Sequence, residues 1–174
     1  MTDPATPGTA SETALDAVWR DSDGLLIRPA VEDDLPAIVV LLADDGLGKS
    51  RERPENPLPA AYGEAFRCMA LQGGNLILVA ELNGSVVGCL QLTLIHGVSR
   101  MGATRAQVEG VRVATSARGR RVGERLMRAA TVRAKANGAV LMQLTTDHRR
   151  IDAHRFYERL GFVGSHLGMK KELG

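Results

Sequence analysis

Ala117-Arg-Gly-Arg-Arg-Val-Gly-Glu-Arg-Leu-Met127 places four arginines and two glycines in eleven residues, where one periodicity gives way to another. Upstream, Gln107-Val-Glu-Gly-Val-Arg-Val113 alternates apolar with polar residues, as a half-buried strand does. Downstream, Val122, Leu126, Ala129 and Ala130 share one helical stripe that ends at Asn137-Gly138, a good helix stop. The first turn of a helix leaves backbone N–H groups without internal partners, and the helix dipole adds about half a positive charge there. Such an end attracts anions; a glycine lets the backbone approach a phosphate, and arginines add charge and forked donors. On composition alone the stretch reads two ways, as an anion cradle or as a solvated basic helix start, because Gly-x-x-x-Gly at a strand-to-helix junction is a weak pattern. It is neither a Walker-type loop, since no Gly-Lys-Ser or Gly-Lys-Thr follows, nor a Gly-x-Gly-x-x-Gly dinucleotide fingerprint.

Working outward, Ala139–Thr145 is the next strand, and Ala153, Phe156, Tyr157 and Leu160 form a second helical stripe, with Asp152 as N-cap and Gly161 at the stop. A final strand is expected from Phe162 onward. Toward the N-terminus, Asn75–Leu82 and Ser85–Ile95 flank Asn83-Gly84, a strong hairpin signal because Asn-Gly accepts the positive φ angles of a tight turn. Leu25–Pro29 reads as a first strand, and Glu32-Asp33-Asp34-Leu35-Pro36 as a helix start whose apolar run reaches Leu42. Gly46–Pro59 is a loop, and Ala60–Gln72 a helix closed by Gly73-Gly74. The order implies a mixed α/β layout with helix and strand alternating in the C-terminal half.

The 174 residues suit one domain, with 44% hydrophobic and 24% charged residues. We expect residues 1–24, rich in Thr, Ala, Pro and Asp, to be a flexible tail without the form of a secretion signal, and 25–174 to be the domain. No apolar run suggests membrane insertion. Cys68 and Cys89 have neither metal-ligand spacing nor a disulfide framework, which fits a cytoplasmic location. The four histidines form no metal spacing, so no metal is expected. Net charge is only +2, yet Arg112–Arg159 holds twelve Arg or Lys against four Asp or Glu, so this segment is strongly basic and the remainder acidic. Such asymmetry points to an anionic partner, a phosphorylated small molecule or nucleic acid.

The run from Val108 to Phe162 resembles the GNAT superfamily of N-acetyltransferases. The elements that carry the likeness are Val108-Glu-Gly-Val-Arg-Val113, Arg118-Gly-Arg-Arg-Val-Gly123, Val140-Leu-Met-Gln-Leu-Thr145 and Ala153-His-Arg-Phe-Tyr-Glu-Arg-Leu-Gly-Phe162. The resemblance implies a mixed, mostly antiparallel twisted sheet flanked by helices, and acetyl-CoA as cosubstrate. Its diphosphate would lie on the turn formed by Arg118, Gly119, Arg120, Arg121, Val122, Gly123 and Glu124. Its pantetheine arm would pair with the backbone of Val111, Arg112 and Val113, with Phe156 nearby. Two departures stand out: Arg121 occupies the position of the pattern's first glycine, where a positive φ would be costly, and Arg150 replaces an asparagine common in relatives.

The likeness also implies that Tyr157 assists the departing thiolate and that Glu109 takes the amine proton. A phenol with an ordinary pKa of about 10 gives its proton to a thiolate of about 8.5 only uphill, by roughly 2 kcal/mol, so a hydrogen bond to the developing charge is the better description. Strand alternation alone would place Glu109 on the same face as Val111 and Val113, which requires a bulge or splay to separate them. Gln143–Tyr157 and Ser165-His166 resemble the small-molecule acetyltransferases that act on aminoalkylphosphonates. A small primary amine is therefore the expected acceptor; protein or peptide amines, a non-catalytic acyl-CoA-binding module and a nucleic-acid-binding module are the alternatives. Only six aromatic residues occur in the chain, few for a single-strand stacking platform, so neither nucleic acid nor membrane is expected as partner. A homodimer is expected by analogy alone.

Overall fold

The computed structural model describes residues 17–44 and 50–173, so the sequence readings that fall on 1–16 and on 46–49 of the Gly46–Pro59 loop lie outside the described residues. The sheet is organised around Asn83-Gly84, whose φ angles of 51° and 75° make the tight turn that the pair signals. That turn joins β3 (Asn75–Leu82) to β4 (Ser85–Ile95), antiparallel, with Leu78 opposite Leu90. On the outer side of β3 lies β2 (Leu26–Pro29), and β1 (Trp19–Arg20) pairs with β2. On the other side, β5 (Thr104–Val113) runs antiparallel to β4, and β6 (Ala139–Leu144) runs parallel to β5. The six strands thus follow chain order in one mixed, mostly antiparallel sheet.

A parallel pair requires a long crossover. The helix α4 (Val122–Ala136) supplies it, preceded in the chain by α1 (Leu35–Ala43), α2 (Ala60–Leu71) and the four-residue α3 (Ser99–Gly102), and followed by α5 (Ile151–Arg159). Strand alternation divides β4 between two cores. Leu90, Leu92 and Leu94 join Leu78, Ala106 and Val108 beneath Val122, Leu126, Ala129 and Ala130 of α4. Cys89, with Val79, faces Ile38 and Leu41 of α1. The start of α4 lies close to β4 because residue 88 is glycine: a Cβ there would fall 3.0 Å from the Arg112 carbonyl oxygen and 3.1 Å from the side chains of Leu126 and Val122.

The structure differs from the sequence reading in three places. The ordered sheet begins before Leu25, since Trp19–Arg20 already pairs with β2 inside the stretch assigned to the tail. Arg128 of α4 lies over the Trp19 ring, 5.1 Å from its centroid, and Arg125 reaches Asp21 and Asp23, contacts that periodicity cannot reveal. Asp152 is not the N-cap of α5; Arg150 is, and Asp152 falls within the first turn, where a carboxylate still complements the dipole. The strand expected from Phe162 onward does not form. Phe162 packs edge-on against Tyr157 with ring centroids 5.8 Å apart, but the segment after it carries Gly164 and Gly168, which weaken a strand, and has no ladder partner among the described residues. No helix among the described residues is long and apolar enough to cross a membrane.

Replacing Gly88 with valine should force backbone as well as side chains apart, because its nearest obstacle is a carbonyl oxygen. Overpacking of this kind costs about 1–3 kcal/mol, which lowers Tm by several degrees in a domain of this size. A thermal melt of Gly88→Val that matches the unsubstituted protein would contradict the close approach.

Candidate active site

The local structure of β5 is governed by a bulge. Gln91 pairs with Glu109 and Cys89 with Arg112, so Leu90 alone faces both Gly110 and Val111. Gly110 takes φ of +60°, which glycine adopts without a Cβ penalty. Leu42 of α1 approaches the bulge to 3.5 Å of the position a Gly110 Cβ would take, and the Cys89 thiol donates to the Gly110 carbonyl oxygen at 3.7 Å. The inserted residue reverses the strand's phase. Before it, Ala106 and Val108 face α4; after it, Val111 and Val113 do. Glu109 and Arg112, paired with Gln91 and Cys89, lie together on the opposite face, toward α1. The alternation problem posed by Glu109 is thereby resolved by one extra residue.

A second irregularity opens the sheet. β5 and β6 pair from Thr104 and Ala139 as far as Val108 and Leu144, and no later pair joins them among the described residues. Residues 109–113 therefore run on along an open edge while the chain leaves β6. In that departing segment the Thr146 hydroxyl is buried and has no hydrogen-bond partner among the described residues. Such a group needs an acceptor or donor from elsewhere.

Tyr157 of α5 enters this region with its ring held between Phe156 and Phe162, at centroid distances of 5.1 and 5.8 Å. Burial pushes its phenol above the ordinary value, while the Arg150 and Arg112 guanidiniums pull it back. Both cations thus act on the hydroxyl, Arg150 from the start of α5 and Arg112 from β5. Phe156 also packs where Gly123 offers no side chain: a Cβ there would be 3.3 Å from the Phe156 ring and 3.5 Å from Val113. Gly123 lets α5, β5 and the start of α4 meet.

At that start no side chain caps α4. Gly119 has φ of +78° and open space around its Cβ position, and Arg118, Gly119 and Arg120 are exposed. Arg121 adopts φ of 58°, the left-handed conformation that its side chain disfavours by about 1–2 kcal/mol. Its guanidinium is engaged by Glu124, with Nε 2.8 Å from Oε2. The departure from the glycine pattern therefore keeps the glycine backbone and accepts strain. The amides of Val122, Gly123 and Glu124 precede the first helical hydrogen bond, from Arg125 N–H to the Arg121 carbonyl at 3.1 Å. An uncapped helix mouth, an open strand edge and an orphaned hydroxyl match what a diphosphate with an extended amide-containing arm requires.

Other candidates take different roles. Burial pushes the Cys89 thiol up to about 12 against the pull of Arg112, so it is no nucleophile near neutral pH. His154 Nε2 lies 2.9 Å from the Asp147 carbonyl oxygen, a contact from α5 back to the loop before it. No metal-holding group of His, Cys, Asp or Glu occurs among the described residues. A cavity of about 320 Å³ behind the start of α4 is lined by Trp19, Asp21, Asp23, Arg121, Arg125 and Arg128; neither Tyr157 nor Glu109 borders it. Its acids neutralise part of the basic segment. The sequence reading required a bulge or splay without placing it at Gly110, where a glycine inside a strand pattern was a readable signal, and it missed Thr146 and this acidic hairpin.

Substituting Arg121 by glycine should remove the left-handed strain and lose only an exposed ion pair, leaving the protein between neutral and about 1 kcal/mol more stable by urea unfolding. Destabilisation beyond 1 kcal/mol would show that the Glu124 contact outweighs the strain.

The family model described as Acetyltransferase (GNAT) family matches residues 41–162. The aminoalkylphosphonate N-acetyltransferase of Salmonella typhimurium is 32% identical over 151 residues, spanning 84% of this chain and 90% of that protein. A solved structure from Bacillus halodurans, described as a transcriptional regulator, is 46% identical with a TM-score of 0.83, covering 86% of this chain and 99% of its own. AAC(6')-Iy in complex with the bisubstrate analogue CoA-S-monomethyl-acetylneamine superposes with a TM-score of 0.70 at 16% identity, over 86% of this chain and 98% of that one, which shows the shared fold.

Proposed function

The chain belongs to the GNAT acetyltransferase family, and from that premise we propose that it transfers acetyl from acetyl-CoA to the primary amine of a small molecule by direct attack. The observation that carries this reading is the coincidence, on one strand, of the open edge at 109–113 with a bulge that sets Glu109 apart from Val111 and Val113. The diphosphate would be held by amides of the turn from Arg118 to Glu124, with Arg150 adding charge. The pantetheine arm would pair with the backbone of Val111 to Val113, and Phe156 would pack beside it. When bound, acetyl-CoA supplies an acyl group activated as a thioester.

The remaining steps belong to the chain's own residues. Glu109, on the α1 face, accepts the amine proton, directly or through water, because only the neutral amine is nucleophilic. As the N–C bond forms and the C–S bond breaks, Tyr157 donates a hydrogen bond to the sulfur. Since burial raises the phenol above its ordinary value, Tyr157 keeps its proton beyond about pH 10 and serves as a donor throughout the working range. Arg150, at the start of α5, stabilises the negative charge that gathers there.

Support for an aminoalkylphosphonate acceptor comes from the run Gln143–Tyr157 and from the Salmonella typhimurium relative named for that activity. An assay of CoA thiol release with aminoalkylphosphonates, neutral amines and peptides decides it; turnover confined to peptides would reject a small-molecule acceptor. Tyr157→Phe should lower kcat roughly 10- to 1,000-fold with little change in the KM for acetyl-CoA. Its kcat, like that of the unsubstituted enzyme, should show no loss of an acid group below about pH 10. An unchanged kcat in Tyr157→Phe would remove this residue from the chemistry, as an unchanged rate in Glu109→Gln would remove the proposed base.

A second reading is favoured by the name of the Bacillus halodurans relative together with the basic segment. Nucleic-acid binding should weaken steeply with salt. Filter binding over a salt series tests it, and retention that ignores salt would exclude phosphate-backbone contacts. Against it, Arg125 is paired with Asp21 and Asp23, Arg121 with Glu124 and Arg149 with Asp147, which reduces the basic field.

A further inference from the structure

Arg112 occupies a position that the transfer reaction does not require to be basic. The pantetheine arm needs only its backbone. Its side chain, reversed by the Gly110 bulge, lies on the α1 face, opposite Cys89 and next in line after Glu109. Two steps of the β4 ladder, from Gln91 to Cys89, separate the partners of Glu109 and Arg112, a spacing of about 7 Å. This face is polar at its Glu109 end and apolar at its Arg112 end, where Cys89 packs with Ile38 and Leu41 of α1. Gln91 donates to Asn75 at 3.0 Å, and Gln143 donates to Gln107 at 2.9 Å, so the floor beside Glu109 is lined by amides rather than apolar groups. Arg112 Nη1 donates to the carbonyl oxygen of Val111 at 2.9 Å, which anchors the guanidinium against its own strand, and its charge acts on both Cys89 and Tyr157.

A carboxylate and a guanidinium one short span apart on the same strand face complement a molecule with an amine at one end and an anion at the other. We propose that the side chain of Arg112 determines acceptor specificity by binding the anionic group of a short amino acid-like or aminoalkyl acceptor whose amine is directed to Glu109. The inference rests on the acetyl-transfer reading and adds the residue that reads the acceptor's far end. A planar, forked guanidinium suits phosphonate, phosphate monoester and carboxylate alike, with the doubly charged oxyanions held most strongly.

The test compares four short acceptors, 2-aminoethylphosphonate, β-alanine and propylamine of matched length, and O-phosphoethanolamine one atom longer. For each enzyme form, kcat/KM with an anionic acceptor is divided by that with propylamine, so any effect of a substitution on the cofactor cancels. The unsubstituted enzyme should favour at least one anionic acceptor tenfold or more. Arg112→Met should abolish the preference chiefly through KM, and Arg112→Lys should restore part of it, whereas a merely structural role would lower all four acceptors together. Calorimetric titration of the winning acceptor into the CoA-loaded protein gives a second readout, with affinity at least tenfold weaker in Arg112→Met. Turnover of propylamine without any anionic preference, or a preference that survives Arg112→Met, overturns the inference and leaves acetyl transfer standing. Failure to acetylate or bind every amine overturns the acetyl-transfer reading, and this inference with it.

Discussion

One inserted residue in β5 determines what the rest of the sheet can do. A regular strand would send Glu109, Val111 and Val113 to the same side, burying a carboxylate beneath α4 or exposing two valines. The bulge at Gly110 reverses the phase, so the hydrophobic core on the α4 side remains continuous while a carboxylate and a guanidinium emerge on the other side. Only glycine takes the required positive φ without strain, and the same position lies close to Leu42 of α1. The bulge thus separates the two jobs proposed for this strand: backbone pairing along its open edge and side-chain chemistry on its α1 face.

The helix mouth depends on a different compromise. Gly88 lets α4 start almost on top of β4, and Gly123 lets Phe156 and Val113 close around that start. Close packing at these two glycines fixes where the unpaired amides point. Arg121 then takes a left-handed conformation that glycine would adopt freely, with Glu124 holding its side chain aside. Strained backbone clusters at functional sites, which accords with the role proposed for this turn.

Much of this was legible in the sequence because it is periodic or punctuated. The Asn83-Gly84 hairpin, the stripe of Val122, Leu126, Ala129 and Ala130, and the ladder of glycine-containing turns follow from local chemistry, and each is present. What escaped was long-range. Trp19 stacks under Arg128, and Asp21 and Asp23 meet Arg125 across about a hundred residues of chain, so no local pattern could announce that the sheet begins before Leu25. Phe162 onward reads as a strand by apolar content, yet a strand exists only where an edge accepts it, and edges are a property of the whole sheet. The proposed site was half legible: the family resemblance singles out Glu109, Tyr157 and the arginine-rich turn, whereas the face of Arg112 and the orphaned Thr146 hydroxyl depend on a bulge and a splay.

Amide hydrogen exchange with and without acetyl-CoA tests the central claim most directly, since it reads backbone groups at both proposed contacts at once. Slower exchange should appear together in Val111–Val113 and in the turn from Arg118 to Glu124, the open strand edge and the uncapped helix mouth. Binding that slows neither segment, or that protects only the outer cavity beside Trp19, would contradict this account of how the chain holds its cosubstrate.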